Sequence, residues 1–316
     1  MKKLVALFLA LTLCATLFVS FAVAEKPVKV YSISVMSGGA AWGRFEQGFN
    51  DACAELGWEG HYLAPSTAND ATMMIQLTET ALNDGADVIA VCVTDVGLFK
   101  DVLQRAKDAG VTLIGNVVGD PDLMSAAVGT DTVQLGVNTA DTLVEMMGDK
   151  PIYVTAGQTQ LSSEIQNLQV QAFLDRLAEI KPEAVVVDRF ECNSVATTAA
   201  DKISALYIAH PELNAVVSFD SYVGLGAASF VSDYGIQDDF LVLGIDDGAE
   251  NLLAIKQGNM DATIAQQWYQ IGRGVIEAAQ KVLNGEEIEY TQAIPTVAIM
   301  PDMVDAYAAE AGISLE

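Results

Sequence analysis

The sequence predicts a doubly wound α/β protein built from two Rossmann-like lobes that a hinge connects. Short runs of apolar and β-branched residues, such as 88–93 and 241–245, alternate along the chain with longer amphipathic stretches. Strands that are apolar on both faces and separated by helices form parallel sheets covered by helices on either side. Roughly ten such strand–helix units exceed what one modest hydrophobic core accommodates, so we expect two lobes.

Each strand is predicted from an apolar, β-branched run, and each helix from an amphipathic stretch with a helical period. The predicted strands are 28–36, 61–63, 88–93, 112–116, 126–130, 152–155, 184–190, 215–219, 241–245 and 262–266. The predicted helices are 44–56, 71–83, 97–108, 133–147, 163–179, 195–209, 222–234, 249–256 and 270–283. Glycines that follow a periodic run are expected as C-caps, at Gly57, Gly85, Gly110 and Gly235. Asn69 and Asn193 are expected to cap the helices that follow them.

Residues 1–24 have the layout of a secretory signal peptide. Lys2 and Lys3 precede a nearly unbroken apolar run, and the small residues Ala22 and Ala24 form a cleavage signal. We therefore expect cleavage after Ala24 and a mature protein in the periplasm or outside the cell. An uncleaved membrane anchor is the alternative, because roughly 20 apolar residues can span a bilayer.

No linker rich in Pro, Gly or Ser divides the remaining chain. A seamless join suggests that the chain crosses between the lobes on short segments and that later returns complete both lobes. The N-terminal lobe is predicted to contain 27–131 plus 267–295. The C-terminal lobe is predicted to contain 132–266 plus 296–316.

The composition is strongly acidic, with 42 Asp and Glu against 16 Lys and Arg and a net charge of −26. Such a surface repels nucleic-acid phosphates and anionic lipids, so we expect no nucleic-acid partner. Three cysteines follow the predicted cleavage site, and their number and spacing indicate neither a disulfide framework nor a metal site. Neither His61 nor His210 lies near a nucleophile motif, and the chain has no P-loop or nucleophile elbow. We predict a protein that is not an enzyme and needs no metal or cofactor.

Candidate binding residues follow the predicted strands, because ligands of open α/β sheets bind beyond the carboxyl ends of the strands. Trp42 lies in the Gly-rich turn after the first strand, where an indole can stack on an apolar sugar face or pack at the edge of the core. Asp220 and Asp246 each follow a later strand, and Gln266 ends another. An Asp in that position caps a helix or accepts hydrogen bonds from ligand hydroxyls, and three polar strand ends together favour a shared site.

The chain resembles the ribose-type periplasmic sugar-binding proteins of ABC transporters, the type I solute-binding family, over nearly all of its predicted mature length. The stretches that carry the resemblance are 47–57, 82–89, 209–213, 242–246 and 258–267. The resemblance places the family's strand-end Asp on Asp246, its cleft Gln on Gln266 and its stacking aromatic on Trp42. Asp220 falls where the family usually has Asn.

Two departures from the family's pattern concern its cationic groups. The family's Asp-Arg pair after the fourth strand falls near Asn116, and its second cleft Arg falls near Gln169, so both guanidiniums are lost. Neither an amide nor a smaller side chain replaces the rigid guanidinium fork. We keep Asn116 and Gln169 as candidate ligand-binding residues, and expect a ligand other than the family's commonest pentose.

The resemblance implies a function for the chain. We expect a monomer that captures a small polar solute of the sugar type between its lobes and delivers it to an ABC transporter permease. The alternatives are a receptor that presents its ligand to a chemotaxis or sensor-kinase system, and a non-sugar ligand such as a polyol or an amine-bearing compound.

Overall fold

The computed structural model describes residues 26–315, which form two six-stranded sheets with helices on both faces of each. In chain order the strands are β1 (Lys29–Ile33), β2 (Glu59–Leu63), β3 (Val88–Val91), β4 (Thr112–Asn116), β5 (Ala126–Thr130), β6 (Tyr153–Gln158), β7 (Val185–Glu191), β8 (Ala215–Ser218), β9 (Leu241–Ile245), β10 (Ala262–Ala265), β11 (Thr291–Ile294) and β12 (Val297–Ile299). The helices are α1 (Ala40–Leu56), α2 (Ala71–Asn83), α3 (Val96–Asp108), α4 (Thr132–Met147), α5 (Glu164–Ile180), α6 (Ala196–Ala209), α7 (Ser221–Tyr234), α8 (Ala249–Lys256), α9 (Trp268–Leu283) and α10 (Val304–Ala311). The predicted signal peptide lies outside the described residues.

The strand order confirms the predicted doubly wound α/β architecture. The first sheet has the order β11-β5-β4-β3-β1-β2, and the second has the order β12-β10-β9-β8-β6-β7. All neighbouring strands are parallel except β12, which runs antiparallel to β10. The carboxyl ends of the parallel strands in each sheet therefore meet at one edge, which is the edge where a ligand site is expected.

The strands are buried on both faces. In β3, Val88 and Ala90 contact the apolar cluster that contains Phe45, whereas Ile89 contacts the cluster on the opposite face that contains Phe99. This explains why β3 has no polar residue in alternation, as is typical of a parallel strand covered by helices on each side. No helix within residues 26–315 combines the length and apolar character that a membrane span requires.

The chain passes between the sheets three times. It does so after β5, after β10 and between β11 and β12. These passages are tied together by side-chain bonds: Gln267 Nε2 donates to the Pro295 carbonyl (2.7 Å), and Asn138 Nδ2 donates to Thr296 Oγ1 (2.5 Å). The three passages lie side by side and form the connection between the two halves of the molecule.

The C-terminal elements are absent from the sequence prediction. β11, β12 and α10 were not predicted, because β11 and β12 are short, largely half-exposed strands with Pro295 between them. Such segments lack the continuous apolar run that indicates a buried strand. They complete the two sheets by adding one edge strand to each.

Two of the predicted glycine C-caps agree with the structure, whereas the two predicted asparagine N-caps do not. Gly57 and Gly235 are left-handed C-caps, as predicted. The predicted N-caps are wrong. Asp70, not Asn69, accepts a hydrogen bond from its helix, and Val195 precedes α6 without a side-chain cap. Asn69 and Asn193 instead have positive φ angles (63° and 52°), a conformation that asparagine tolerates better than most residues.

Glycines hold the returning helix α9 against α1. A Cβ added to Gly48 in α1 would lie 2.0 Å from the Tyr269 carbonyl oxygen, and one added to Gly272 in α9 would lie 2.1 Å from the Phe45 carbonyl oxygen. The two backbones are therefore in direct contact, which leaves no room for any other side chain at either position. This contact fixes α9 to the first sheet.

We expect Gly48→Ala to lower the free energy of unfolding by about 1–3 kcal/mol through overpacking. Gly43→Ala, in the same helix, is the matched control, because its added Cβ meets no atom closer than 3.8 Å. The control is expected to be neutral or to stabilise the helix by up to about 1 kcal/mol. Thermal and urea unfolding of the two variants measure the difference, and equal midpoints would contradict close α1–α9 packing.

Candidate functional site

A cavity of about 350 Å³ lies between the two sheets, and we call it the cleft cavity. Its walls come from the loop after β1 and the start of α1 on one side, and from the starts of α7 and α8 on the other. The lining residues are Met36, Gly38, Gly39, Ala41, Trp42, Ser221, Tyr222, Leu225, Ala249, Glu250 and Asn251. Both halves of the molecule therefore contribute to one space at the carboxyl ends of their strands.

Trp42 lies in the wall of the cleft cavity and is half-buried. Its indole contacts two aromatic rings behind it, Phe45 at 5.5 Å and Trp268 at 5.1 Å between ring centroids. One part of the ring thus belongs to the core of the first sheet and another part faces the open space. The stacking and packing roles considered from the sequence are both compatible with this position.

Asp246 follows β9, and its carboxylate accepts three hydrogen bonds from side chains of the protein. Its Oδ1 accepts hydrogen bonds from Gln266 Nε2 (2.7 Å) and Trp268 Nε1 (2.8 Å), and its Oδ2 accepts one from the Ser221 hydroxyl. The residue is only 6% exposed, and burial raises the pKa of its carboxyl above the ordinary value while these three donors oppose the shift. Since Trp268 begins α9, this carboxylate connects the second sheet to a helix of the first.

The backbone of Asp246 is also held in one conformation by hydrogen bonds. Its φ angle is 72°, in the left-handed region. Its carbonyl oxygen accepts a hydrogen bond from Thr263 Oγ1 (2.7 Å), and its N–H donates to the Ile264 carbonyl (2.9 Å). Both partners lie on the neighbouring parallel strand β10, so the strand pairing itself places the carboxylate beside Gln266. The sequence interpretation that paired these two strand ends agrees with this geometry.

Asp220 caps α7 and is fully occupied by donors from the protein. Its Oδ1 accepts the Tyr222 N–H (2.8 Å) and contacts Cys192 Sγ (3.7 Å), while its Oδ2 accepts the hydroxyls of Thr159 (2.5 Å) and Ser194 (2.7 Å). Burial and the nearby carboxylate raise the pKa of Cys192 to about 11, so the thiol keeps its proton. A carboxylate has about four acceptor positions, and here each has a partner.

Asn116 ends β4 but does not reach the cleft cavity. It is completely buried, and its Nδ2 donates to the hydroxyls of Ser34 (2.8 Å) and Ser32 (3.2 Å) on β1, two strands away in the sheet. Its Oδ1 is buried without a hydrogen-bond partner. Asn116 and the two serines therefore form a buried polar cluster within the first sheet, just before the loop that begins with Val117.

Gln169 lies apart from the other candidates. Its backbone is in the tight contact between α5 and α4, where a Cβ on Gly136 would approach its carbonyl oxygen to 2.2 Å. The polar side chain of α5 that does reach the strand ends is Asn167, whose Oδ1 accepts from Gln158 Nε2 (3.2 Å) and Arg189 Nη2 (2.7 Å). The two positions differ by two residues, which places them on different faces of the helix.

Trp268 and Arg189 bond to residues that follow or end the strands of the second sheet, and the sequence interpretation missed both. The available signal for Trp268 was its place two residues after Gln266; the structure puts it in the first turn of α9, whereas the predicted helix began at residue 270. Arg189 lies within β7. Its guanidinium lies at the end of the neighbouring strand β6, where Nη2 donates to Gln158 Oε1 (2.8 Å). Within the described residues, no group of three or more His, Cys, Asp or Glu side chains is arranged to hold a metal ion.

The fold and the cleft define a two-lobed α/β protein with a cavity between the lobes. Residues 30–287 match the family described as periplasmic binding protein domain. The chain belongs to this family.

Three relatives illustrate the similarity. The chain is 23% identical to the ribose import binding protein of Bacillus subtilis, over 72% of this chain and 73% of that protein. It is 25% identical to the D-apiose import binding protein of Actinobacillus succinogenes, over 75% and 76% of the two chains. A crystal structure of an ABC transporter periplasmic solute binding protein from Actinobacillus succinogenes with bound D-allose superposes with a TM-score of 0.82 at 21% identity. That match covers 89% of this chain and all of the other.

We expect Asp246→Asn to remove a pH-dependent loss of stability. Burial raises the carboxyl pKa in the folded state, so the folded protein favours the protonated acid and the wild type loses stability as pH rises from about pH 4. Asparagine does not ionise and tolerates the left-handed backbone. The difference in Tm, wild type minus variant, should therefore fall with rising pH and level off above the raised pKa. A difference that is constant or grows between pH 4 and 8 would contradict the assignment.

Proposed function

We propose that this chain captures a small polar solute of the sugar type between its lobes and delivers it to an ABC transporter permease. The observation that carries the proposal is the cleft cavity, whose walls come from both halves of the molecule at the carboxyl ends of their strands. A ligand that touches both walls binds the closed arrangement better than an open one, and so shifts the population toward closure. Closure then gives the permease a surface that differs between loaded and empty protein.

The relatives support the sugar class. Two curated relatives are named for the import of ribose and of apiose, and the superposed structure contains allose. These are neutral, hydroxyl-rich compounds of five or six carbons. The size of the cleft cavity, about 350 Å³, suits a ligand of this kind.

The moving units in this proposal are 27–131 plus 267–295 and 132–266 plus 296–316. Each contains one complete sheet, and the three adjacent passages between the sheets supply the hinge. Hinge closure needs only a few residues at element ends to change conformation. Gln267, with a φ angle of 58° between β10 and α9, is one such residue.

Within the site, we assign direct ligand contacts to Trp42, Asp246 and Gln266. Gln266 uses one N–H toward Asp246, which leaves its amide oxygen and second N–H for a ligand. Asp220 and Asn116 act indirectly, by fixing the start of α7 and the end of β4. Gln169 is not part of the proposed site.

The proposed location is the periplasm or the outer cell surface, reached by means of the signal peptide predicted at 1–24. The family consists of binding proteins for transport, and the proposed partners are the solute and the permease. We propose a monomer that performs no catalysis and binds no nucleic acid.

A thermal-shift screen of pentoses, hexoses, polyols and their amino derivatives tests the proposal. A ligand present at 100 times its Kd adds about 2.7 kcal/mol to the free energy of unfolding. For a protein of this size that corresponds to a rise of several degrees in Tm. If no compound of the panel raises Tm, the proposed function is rejected.

Trp42→Ala is expected to weaken binding of any ligand found in the screen by about 30-fold, because the ring contributes a large desolvated contact. Trp58→Ala is the matched control. Trp58 is also half-buried, but it precedes β2 at the opposite end of the sheet from the cleft. Calorimetry at a temperature where both variants are folded measures the affinities, and equal losses in the two variants would remove Trp42 from the site.

A further inference from the structure

The acceptors expected to bind ligand hydroxyls are largely occupied by the protein itself. Asp220 has four partners, and Asp246 has three of the roughly four that a carboxylate accepts. Their capacity for further hydrogen bonds is therefore small. Asp246 keeps about one acceptor position for a ligand, so the rest of the recognition draws on other groups that face the open volume.

Glu250 is the only charged residue that lines the cleft cavity among residues 26–315. It lies in the first turn of α8, is exposed, and has no hydrogen bond or ion pair with another described residue. Its carboxylate is thus available to a ligand. No lysine or arginine of the described chain shares that lining.

The guanidiniums of Arg44 and Arg189 lie outside this lining and donate through their Nη atoms to acceptors of the protein, while the Nε of each is buried without a partner. Arg44 donates through Nη1 to Gln47 and through Nη2 to the Ala311 carbonyl (2.7 and 2.5 Å). Arg189 donates to Gln158 and to a neighbouring amide of α5. The net charge of the whole chain, −26, adds to the negative potential in the cleft. A ligand carboxylate or phosphate would meet no complementary charge there.

Aromatic rings line the same cavity from both sides. Trp42 belongs to the helix that covers the first sheet, and Tyr222 to the first turn of α7 on the second. Tyr222 is 41% exposed, so much of its ring is open to solvent and to this space. The faces of such rings carry negative charge density and attract organic cations as well as apolar sugar faces.

We propose that the solute carries a positively charged amine, as in an amino sugar or an aminopolyol, and that Glu250 binds this ammonium beside Trp42 and Tyr222. The inference rests on the proposed function and specifies its ligand class. An organic cation fits better than a metal ion. Metal ions need several oxygen ligands, and the described residues contain no group of three acidic, His or Cys side chains placed to supply them.

The test uses matched pairs that differ only in one charge. Glucose, galactose, mannose and myo-inositol are each titrated by calorimetry beside the corresponding monoamine, with N-acetylglucosamine and glucuronate as uncharged and anionic comparisons. We expect the amine to bind at least tenfold more tightly than its neutral partner in every pair that binds, and glucuronate not to bind. Tighter binding of the neutral members overturns this inference and leaves the transport function intact. Absence of binding by every compound rejects both.

Glu250→Gln supplies the second arm. It removes the charge while keeping the shape, so the ratio of the affinity for the amine to the affinity for its neutral partner should fall at least tenfold. Glu164→Gln is the control, because Glu164 also lies in the first turn of a helix of the second sheet but does not line the cavity. If Glu164→Gln reduces the preference equally, the effect is long-range and the assignment of Glu250 is wrong.

Discussion

The carboxylate of Asp246 is the group on which the arrangement of the cleft depends. It receives hydrogen bonds from the start of α7, from the end of β10 and from the indole of Trp268, which begins a helix of the other sheet. Removing a buried carboxylate from water is unfavourable, and these donors compensate for it. Three segments, from both halves of the molecule, therefore meet at one buried carboxylate, which bonds Ser221 in the lining of the cleft cavity.

Much of the fold could be predicted because parallel strands buried on both faces leave an unmistakable apolar pattern. The C-terminal strands β11 and β12 could not be predicted in this way. β11 and β12 owe their strand conformation to the edges they pair with, β5 and β10, and not to their own residues. The capping errors have a similar origin. Asn69 and Asp70 are adjacent, and only the path of the chain decides that Asp70 faces the helix.

The site was predictable where topology alone determines it. Asp246 and Gln266 meet because their strands are parallel neighbours, and this could be inferred without a structure. Trp268 escaped prediction because the predicted helix began at residue 270, which left Trp268 between two predicted elements. Asn167 and Gln169 differ by two positions, and sequence similarity between distant relatives does not fix the rotation of a helix so finely. The buried bonds of Asn116 depend on serines of β1, a contact between distant parts of the chain.

The pair formed by Trp42 and Trp268 has a spectroscopic consequence. The two indoles lie 5.1 Å apart at 49°, close enough and sufficiently skewed for their excited states to couple. Such coupling produces a circular dichroism couplet in the far ultraviolet. Both rings sit on α1 and α9, which the glycine contacts hold together, so rigid rotation of the second sheet leaves their mutual geometry unchanged. The couplet would report the packing of α1 against α9 within the first lobe.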